Sequence, residues 1–195
     1  MHVLRNPILL PDELNYYHHR AQTDALIITG DTGSVMSVNE GDRIVIGGAG
    51  NDVFRPGEGK NLIDLGGGLN EITYDLIYGI GPQQVGLAID MEAGTTVKHS
   101  GDVDHFANVQ KIVGSRGDDT ILGSSGDDLI VGISTGLGVE EVRAGAGDDT
   151  VYGYDIINPW LGQGRLHAWG EEGEDVLIAT NGANFLDGGT GNDTL

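Results

Sequence analysis

Seven acidic residues share one position of a nine-residue spacing, and carboxylates repeated in this way are suited to binding cations. They are Asp52, Asp119, Asp128, Glu140, Asp149, Asp175 and Asp193. A glycine stands two residues before each acid, and four of these glycines are Gly126, Gly147, Gly173 and Gly191. Glycine tolerates tight turns with positive φ and leaves main-chain carbonyls uncovered. Calcium takes about six to eight oxygen ligands, which two such turns can supply together and one turn cannot.

The spacing of apolar residues predicts the elements that carry these turns. Apolar residues nine apart are Ile27, Met36, Val45, Phe54, Ile63 and Ile72. The clearest copy, 47–55, reads Gly-Gly-Ala-Gly-Asn-Asp-Val-Phe-Arg and fits the nonapeptide G-G-x-G-x-D-x-U-x, with U a large apolar residue. This repeat is typical of a calcium-loaded parallel β-helix. The predicted fold class is therefore all-β, a parallel β-helix or β-roll, with one inward apolar residue in each short strand.

The repeats form two arrays of unequal quality. The first array, 25–73, has copies that begin at residues 29, 38, 47, 56 and 65. The sixth positions of four of these copies are Arg43, Asp52, Asn61 and Asn70, so the carboxylate is mostly missing. The second array, 114–195, keeps the acid in most copies, with Leu166 and Asn184 as exceptions. We therefore expect calcium binding to be concentrated in the second array.

Two segments lie outside the repeat. In the non-repeat N-terminal segment, 1–24, Pro11 followed by two acids predicts the start of a short helix. Residues 74–113 are predicted to be a β-hairpin-like insert, because apolar and small residues alternate over 85–91, and a polar loop is expected at 99–104. The chain ends inside a copy that begins at Gly188, so we expect it to be a piece of a longer protein.

The composition narrows the possible partners. The 195 residues include 30 acidic and 10 basic side chains, with a formal net charge of −20. Such a chain repels nucleic acid and anionic membranes and attracts cations. The absence of cysteine excludes disulfides and thiolate metal sites. No apolar run approaches the roughly 18 residues of a membrane helix, so no transmembrane segment is predicted.

On these residues the chain resembles the RTX family, the repeats-in-toxin proteins with calcium-binding nonapeptides, over 38–73 and 114–195. Residues 106–114 are also similar to the stretch that often leads into such repeats. The resemblance implies that two nonapeptides make one coil and that calcium binds between successive turns on the same side. It also implies type I secretion in an unfolded state, a secreted or extracellular location, and a structural rather than enzymatic role. The expected partners are calcium ions and flanking domains of a parent protein.

The pairing rule implied by the resemblance places the acids of the second array in two columns. One column contains Asp128, Asp149, Asp175 and Asp193, which would give three consecutive sites. The opposite column contains Asp119, Glu140, Leu166 and Asn184. Only Asp119 with Glu140 has the acids for a site there, and in the first array Asp52 pairs with Asn70 in a weak one. We therefore expect a one-sided calcium ladder in the C-terminal half.

An alternative is that the chain is the trailing part of a secreted protease, lipase or alginate epimerase, or a glycan-binding or adhesin module. Residues 132–136 fit G-x-S-x-G, the lipase nucleophile elbow. That elbow needs a helix after it, which Gly138 and Val139 do not favour. A loop inserted between repeats is the better interpretation of this stretch.

Two further groups bear on the enzymatic and glycan-binding alternatives. Asp102, Asp104 and His105 could supply an acid, a base and a metal ligand, although a polar loop in an acidic chain produces such a group by chance. Trp160 and Trp169 are more typical of residues that pack an insertion than of a sugar-stacking platform. The sequence therefore favours a calcium-binding structural module.

Overall fold

The computed structural model describes residues 8–9, 16–19, 25–75, 85–133, 138–153, 164–179 and 181–195, and every regular element in these ranges is a β-strand. The first eight are β1 (Ile8–Leu9), β2 (Tyr16–His19), β3 (Ala25–Ile28), β4 (Val35–Val38), β5 (Arg43–Ile46), β6 (Val53–Arg55), β7 (Asn61–Asp64) and β8 (Glu71–Thr73). The next four are β9 (Val85–Asp90), β10 (Thr95–Val97), β11 (Val103–Ala107) and β12 (Lys111–Val113). The last seven are β13 (Asp118–Leu122), β14 (Leu129–Val131), β15 (Val139–Ala146), β16 (Thr150–Tyr152), β17 (Arg165–Glu172), β18 (Val176–Ile178) and β19 (Phe185–Asp187). Within these ranges no helix is long and apolar enough to cross a membrane.

The strands form two sheets, and outside the central insert the chain passes from one sheet to the other at each turn. The larger sheet has eleven strands, in the order β1-β3-β5-β7-β11-β10-β9-β13-β15-β17-β19. The smaller sheet has eight, in the order β18-β16-β14-β12-β8-β6-β4-β2. Equivalent strands of successive coils pair in parallel with their apolar residues aligned, as Val45 with Ile63 and Phe54 with Ile72. Two nonapeptides therefore make one coil, and the predicted parallel β-roll is confirmed.

The core between the sheets is a stack of the repeated apolar residues. Ile27, Val45 and Ile63 come from the larger sheet and Met36, Phe54 and Ile72 from the smaller, each at most 1% exposed. Burial of one such side chain contributes about 1.5–3 kcal/mol. Because side chains alternate between the two faces of a strand, Leu62 is exposed beside buried Ile63. The glycine-rich turns are thereby placed at the two corners where the sheets meet.

The insert adds two strands to one sheet only. Strand β10 pairs antiparallel with both β9 and β11, so β9 and β10 form the predicted hairpin. Strand β11 then pairs in parallel with β7, and β9 pairs in parallel with β13. In the smaller sheet β12 lies directly between β8 and β14. The parallel stack therefore continues without interruption in the smaller sheet, whereas the larger sheet is two strands wider and has an antiparallel strand, β10, at its centre.

Two local predictions are wrong. The helix expected from Pro11 is replaced at Tyr16–His19 by strand β2, which pairs in parallel with β4 at the edge of the smaller sheet, so the backbone groups that face β4 are hydrogen-bonded. The polar loop expected over 99–104 ends early, since β11 begins at Val103. In both cases pairing with a distant strand outweighs the local signal. The G-x-S-x-G stretch and Trp160 lie largely or wholly outside the described residues.

Candidate metal centre

Four acids stack in one corner of the roll, and we call them the long column: Asp128, Asp149, Asp175 and Asp193. The main-chain N–H of Asp128 donates to Oδ1 of Asp149 over 2.8 Å. The N–H of Asp149 donates to Oδ1 of Asp175 over 2.9 Å, and that of Asp175 donates to Oδ1 of Asp193 over 3.1 Å. The carboxylates of Asp149, Asp175 and Asp193 are thus each fixed by the backbone of the preceding coil. The structure brings together the four residues that the sequence pairs.

The second oxygens of the two middle carboxylates have the environment of a cation site. Asp149 and Asp175 are each 1% exposed, and in the described parts of the chain Oδ2 of neither has a hydrogen-bond partner. A buried anionic oxygen without a partner is costly. A Cβ at Gly170 would meet Asp175 Oδ2 at 2.2 Å and the carbonyl oxygen of Gly188 at 2.3 Å. A carbonyl oxygen and a carboxylate oxygen therefore lie close together at a position where any residue other than glycine would have its side chain. Oxygen ligands of these two kinds are the ones that calcium binds.

Asp128 is held differently from the two acids that follow it. Its Oδ2 accepts the main-chain N–H of Ser124 over 2.6 Å, which closes the turn of its own copy. Ser124 stands where the repeat has its second glycine. Asp128 therefore lies in the column of proposed ligands, but one of its oxygens already accepts a hydrogen bond from its own turn.

The opposite corner contains the second column, Asp119, Glu140, Leu166 and Asn184. The N–H of Asp119 donates to Oε2 of Glu140 over 3.1 Å, and the N–H of Leu166 donates to Oδ1 of Asn184 over 2.8 Å. Glu140 is fully buried, and its Oε1 has no hydrogen-bond partner among the described residues. Both oxygens of Asp119 are engaged, by the N–H of Leu87 and by the N–H and hydroxyl of Ser115. This corner therefore offers one buried unpartnered carboxylate oxygen, that of Glu140.

The turn glycines let successive coils approach closely. Gly147, Gly173 and Gly191 have φ of 115°, 143° and 141°. A Cβ at Gly173 would lie 1.8 Å from the carbonyl oxygen of Gly147, and one at Gly191 would lie 1.7 Å from that of Gly173. Gly126 differs, because its nearest such neighbour is the Ser124 hydroxyl at 3.9 Å. Three of the four predicted turn glycines are thus required by the stack, and Gly126 has space around it.

Burial raises the pKa of the corner acids. Desolvation is the largest cause at Asp149, where the charges of Asp128 and Asp175 add to it, and the pKa rises to about 7. Desolvation likewise raises the pKa of Asp119 to about 6 and that of Glu140 well above its ordinary range. It also raises the pKa of Asp175. Burial therefore disfavours the ionised form of these carboxyl groups unless a cation lies beside them.

The first array contributes one acid of the same kind. Asp52 is fully buried, its Oδ1 accepts the N–H of Ser34 over 2.8 Å, and its Oδ2 has no hydrogen-bond partner within the described ranges. Its own N–H donates to Oδ1 of Asn70 over 2.8 Å, so the next member of the stack is an amide. Burial raises the pKa of Asp52. Asp52 therefore stands without a second carboxylate beside it.

Asp104 and His105, the residues considered for a catalytic pair, lie on opposite faces of one strand. Asp104 is buried inside the roll, whereas its neighbour His105 is exposed on the other face of β11. Sequence reasoning missed that Asp104 belongs to a turn corner. The signal was present, because Asp104 stands two residues before the buried Phe106, as each repeat acid stands before its apolar residue.

Trp169 is placed on the outer face of β17. The Arg143 guanidinium lies 4.6 Å from the centre of its ring, and the Phe185 ring lies 5.4 Å away. Its contacts are therefore with side chains of the two neighbouring strands, β15 and β19.

The arrangement defines a class of protein. In the described ranges no three His, Cys, Asp or Glu side chains converge on one point, so turn carbonyls must complete any shell. Stacked glycine turns with one buried carboxylate per turn are the features of a calcium-binding β-roll. Among known families, the RTX calcium-binding nonapeptide repeat (HemolysinCabind) matches the chain in four copies, at 38–72, 110–132, 134–158 and 168–195. The matches cover more than half of the chain, which therefore belongs to this family; no curated protein matches it.

Proposed function

We propose that this chain is the calcium-triggered β-roll module of a larger secreted protein, and that its second array folds when calcium binds outside the cell. The observation that carries the proposal is the pair of buried oxygens, Asp149 Oδ2 and Asp175 Oδ2, that lack hydrogen-bond partners in the described structure. A cation between successive turns would compensate both. The module's role is structural, and its partners are calcium ions and the flanking domains of the parent protein.

The ligands would come from both the side chains and the main chain of the turns. The proposed carboxylate ligands are Asp128, Asp149, Asp175 and Asp193 in the long column, with Asp119 and Glu140 opposite and Asp52 in the first array. The proposed turn carbonyls are those of Gly126, Gly147, Gly173 and Gly191. Bound calcium supplies positive charge at the corner. The chain's own residues align the carboxylates through their N–H bonds and exclude water by burial.

Electrostatic repulsion explains why folding should require the metal. Neighbouring strands lie about 4.7–4.9 Å apart. Two carboxylates at that separation repel by roughly 3–4 kcal/mol at an effective dielectric of 20. Several such contacts rival the ~5–15 kcal/mol stability of a whole domain. Binding would thus be coupled to folding, and external calcium falls in the ~10⁻⁴–10⁻³ M range over which extracellular modules respond.

The cellular setting follows from the same coupling. A segment that is unfolded at low cytosolic calcium suits export by type I secretion and folding after release. The segments 1–24, 25–73, 74–113 and 114–195 would then differ in role, with the last supplying the calcium-dependent step. The strong net charge of −20 would keep the unfolded segment soluble during export.

Tryptophan fluorescence tests the proposal, because both tryptophans of the chain, Trp160 and Trp169, lie in the second array. We expect the emission to shift to shorter wavelength as calcium is added to protein in EGTA, with a midpoint near millimolar. The same concentrations of magnesium should have little effect, since magnesium gives up its water reluctantly. Emission that is already that of a folded protein in EGTA and does not respond to calcium would refute the proposal.

A further inference from the structure

A lysine ammonium occupies a turn corner of the first array. Lys98 Nζ lies 2.9 Å from Asp104 Oδ1, and both side chains are fully buried. The same ammonium donates to the carbonyl oxygens of Gly57 over 2.7 Å and Gly59 over 2.8 Å. Gly57 and Gly59 are the second and fourth residues of the copy 56–64. Two turn carbonyls and one carboxylate therefore surround a cation that belongs to the chain.

Asp104 supplies the acid of this corner because it lies on β11, which pairs in parallel with β7. The main-chain N–H and the side-chain amide of Asn61 both donate to Asp104 Oδ1, over 2.9 and 2.8 Å. The Tyr74 hydroxyl donates to Asp104 Oδ2 over 3.2 Å. Asp104 thus accepts a hydrogen bond from the main chain of Asn61, the sixth residue of the copy 56–64. In the same way, Asp175 accepts one from Asp149 in the long column. Both oxygens of Asp104 have partners, whereas Asp149 and Asp175 each keep one oxygen, Oδ2, without a partner in the described structure.

Two more corners of the first array are held by side-chain donors. The guanidinium of Arg43, which is 1% exposed, donates to the carbonyl oxygens of Glu40 and Asp42 in its own turn. The amide nitrogen of Asn70 faces four carbonyl oxygens at 2.9–3.4 Å. Those carbonyls belong to Leu65, Gly66, Gly67 and Asn108. Carbonyl groups that would face a metal in a calcium-loaded turn face nitrogen donors here.

We propose that the first array folds without calcium, with Lys98 of the insert, Arg43 and Asn70 taking the place of the metal at three turn corners, whether or not the weak site at Asp52 is filled. The unit stays folded where calcium is scarce and gives the second array a preformed surface to stack on. This inference rests on the proposed function, since it assumes that the second array needs calcium. The first array does more than lack acids for calcium, because nitrogen donors of the chain itself bind the turn carbonyls that a calcium ion would otherwise bind.

The charges at the corners support the difference between the arrays. Where the insert meets the first array, the Lys98 ammonium pairs with the Asp104 carboxylate, and in the first array Arg43 places a cation at the sixth position of its copy, where most copies of the second array carry an acid. In the second array no ion pair within the described residues reaches the acids of the long column. Removing calcium would leave the charges of Lys98 and Asp104 compensating each other. The stacked carboxylates of the second array would then repel one another.

The preformed unit would lower the cost of folding the second array. Repeat proteins gain stability from each interface between neighbouring repeats, and the first repeat to fold has no neighbour. Strand β12 already pairs with β14 through Ile112 and Ile130, and β9 pairs with β13 through Ile89 and Ile121. The second array can therefore add coils from this end as calcium binds.

Hydrogen–deuterium exchange of the full chain tests the inference peptide by peptide. In EGTA we expect peptides from 43–74 and 95–113 to exchange at least about tenfold more slowly than peptides from 119–152. Calcium should slow exchange in 119–152 and leave the first group nearly unchanged. Equally fast exchange of both groups in EGTA would overturn the inference, whereas failure of calcium to protect 119–152 would count against the proposed function instead.

A pair of lysine variants tests the role of the ammonium. Lys98→Met removes the buried cation, and Lys60→Met removes the same charge from an exposed position nearby. In EGTA we expect Lys98→Met to speed exchange in 56–74 and 95–106 at least about tenfold, because Asp104 and two carbonyls lose their partner, and Lys60→Met to match the parent chain. Unchanged protection in Lys98→Met would show that the ammonium does not hold the corner, and would overturn the inference.

Discussion

Asp149 and Asp175 are joined by a hydrogen bond of 2.9 Å from the N–H of the first to Oδ1 of the second, although an insertion separates them in the chain. Each keeps a second buried oxygen that has no hydrogen-bond partner in the described structure. Adjacent coils therefore share one arrangement. The backbone of the preceding coil fixes Oδ1 of the aspartate, and Oδ2 remains buried at the turn corner without a partner in the described structure. This arrangement determines how the long column should respond to mutation and to pH.

Replacing Asp149 with Asn should separate the two roles of the carboxylate. The variant loses a charged ligand between Asp128 and Asp175, so the calcium midpoint should rise roughly tenfold or more. Without calcium it should be more stable than the parent chain, because repulsion with both neighbours is removed. Fluorescence titration with calcium measures the first effect, and the gain of β-structure over the parent chain by circular dichroism in EGTA measures the second. Asp127→Asn, an exposed change of the same type, should alter neither by much.

Acid should partly replace calcium in the second array. Aspartate has a pKa of about 3.9 in an unfolded chain, whereas Asp149 in the calcium-free fold has a pKa of about 7. The folded state therefore binds a proton between these values, and its stability falls as pH rises through that window.

Two measurements check this pH dependence. In EGTA we expect more β-structure by circular dichroism at pH 5 than at pH 8. The calcium midpoint should move the opposite way and rise as pH falls, since calcium requires the ionised carboxylates. A calcium-free fold that is more stable at pH 8 than at pH 5 would contradict the expected sign.

The turn glycines should differ sharply in their tolerance of alanine. Gly173→Ala places a methyl group 1.8 Å from a main-chain oxygen at φ 143°, and we expect it to destabilise the calcium-loaded fold by at least about 2 kcal/mol. Gly126→Ala is the matched control at the same repeat position and has space for the methyl group, so its melting temperature should stay close to that of the parent. Thermal melts in excess calcium compare the two, and equal losses would refute the stacking argument.

The opposite corner should be stabilised when Glu140 is neutralised. Glu140 is fully buried beside Asp119 with Oε1 unpartnered in the described structure. Glu140→Gln keeps an oxygen for the N–H of Asp119 and removes the buried charge, so stability in EGTA should rise by about 1–2 kcal/mol. Circular dichroism in EGTA measures this as a gain of β-structure over the parent chain, with the exposed Glu141→Gln as control. A large loss of calcium binding in Glu140→Gln would show instead that this corner is a principal site.

Much of the architecture could be predicted from spacing alone. The nine-residue period places Val45 beside Ile63 because a strand's alternation and a fixed copy length leave one register that buries every apolar residue. The stack of Asp128, Asp149, Asp175 and Asp193 also needed the pairing rule implied by the family resemblance, because insertions lengthen two of its three intervals. The nine-residue spacing of apolar residues is visible in the sequence without any knowledge of distant contacts.

Other features depended on pairing between distant segments. Strand β2 forms because a neighbouring strand satisfies its backbone, against the local signal for a helix. Lys98 carries no repeat signature, and its role requires a hairpin that returns it to Gly57 and Gly59, about forty residues earlier.

The sequence by itself determined the period and the parallel roll, because these follow from the repeated copy length and side-chain alternation, and the family's pairing rule supplied the order of the acids in each column. Only the tertiary structure decided which corner oxygens are buried without a partner and which corners are filled by the chain's own nitrogen atoms. Burial and charge compensation are properties of the packed neighbours of Asp149, Asp104 and Lys98. Those neighbours come together only when distant coils stack.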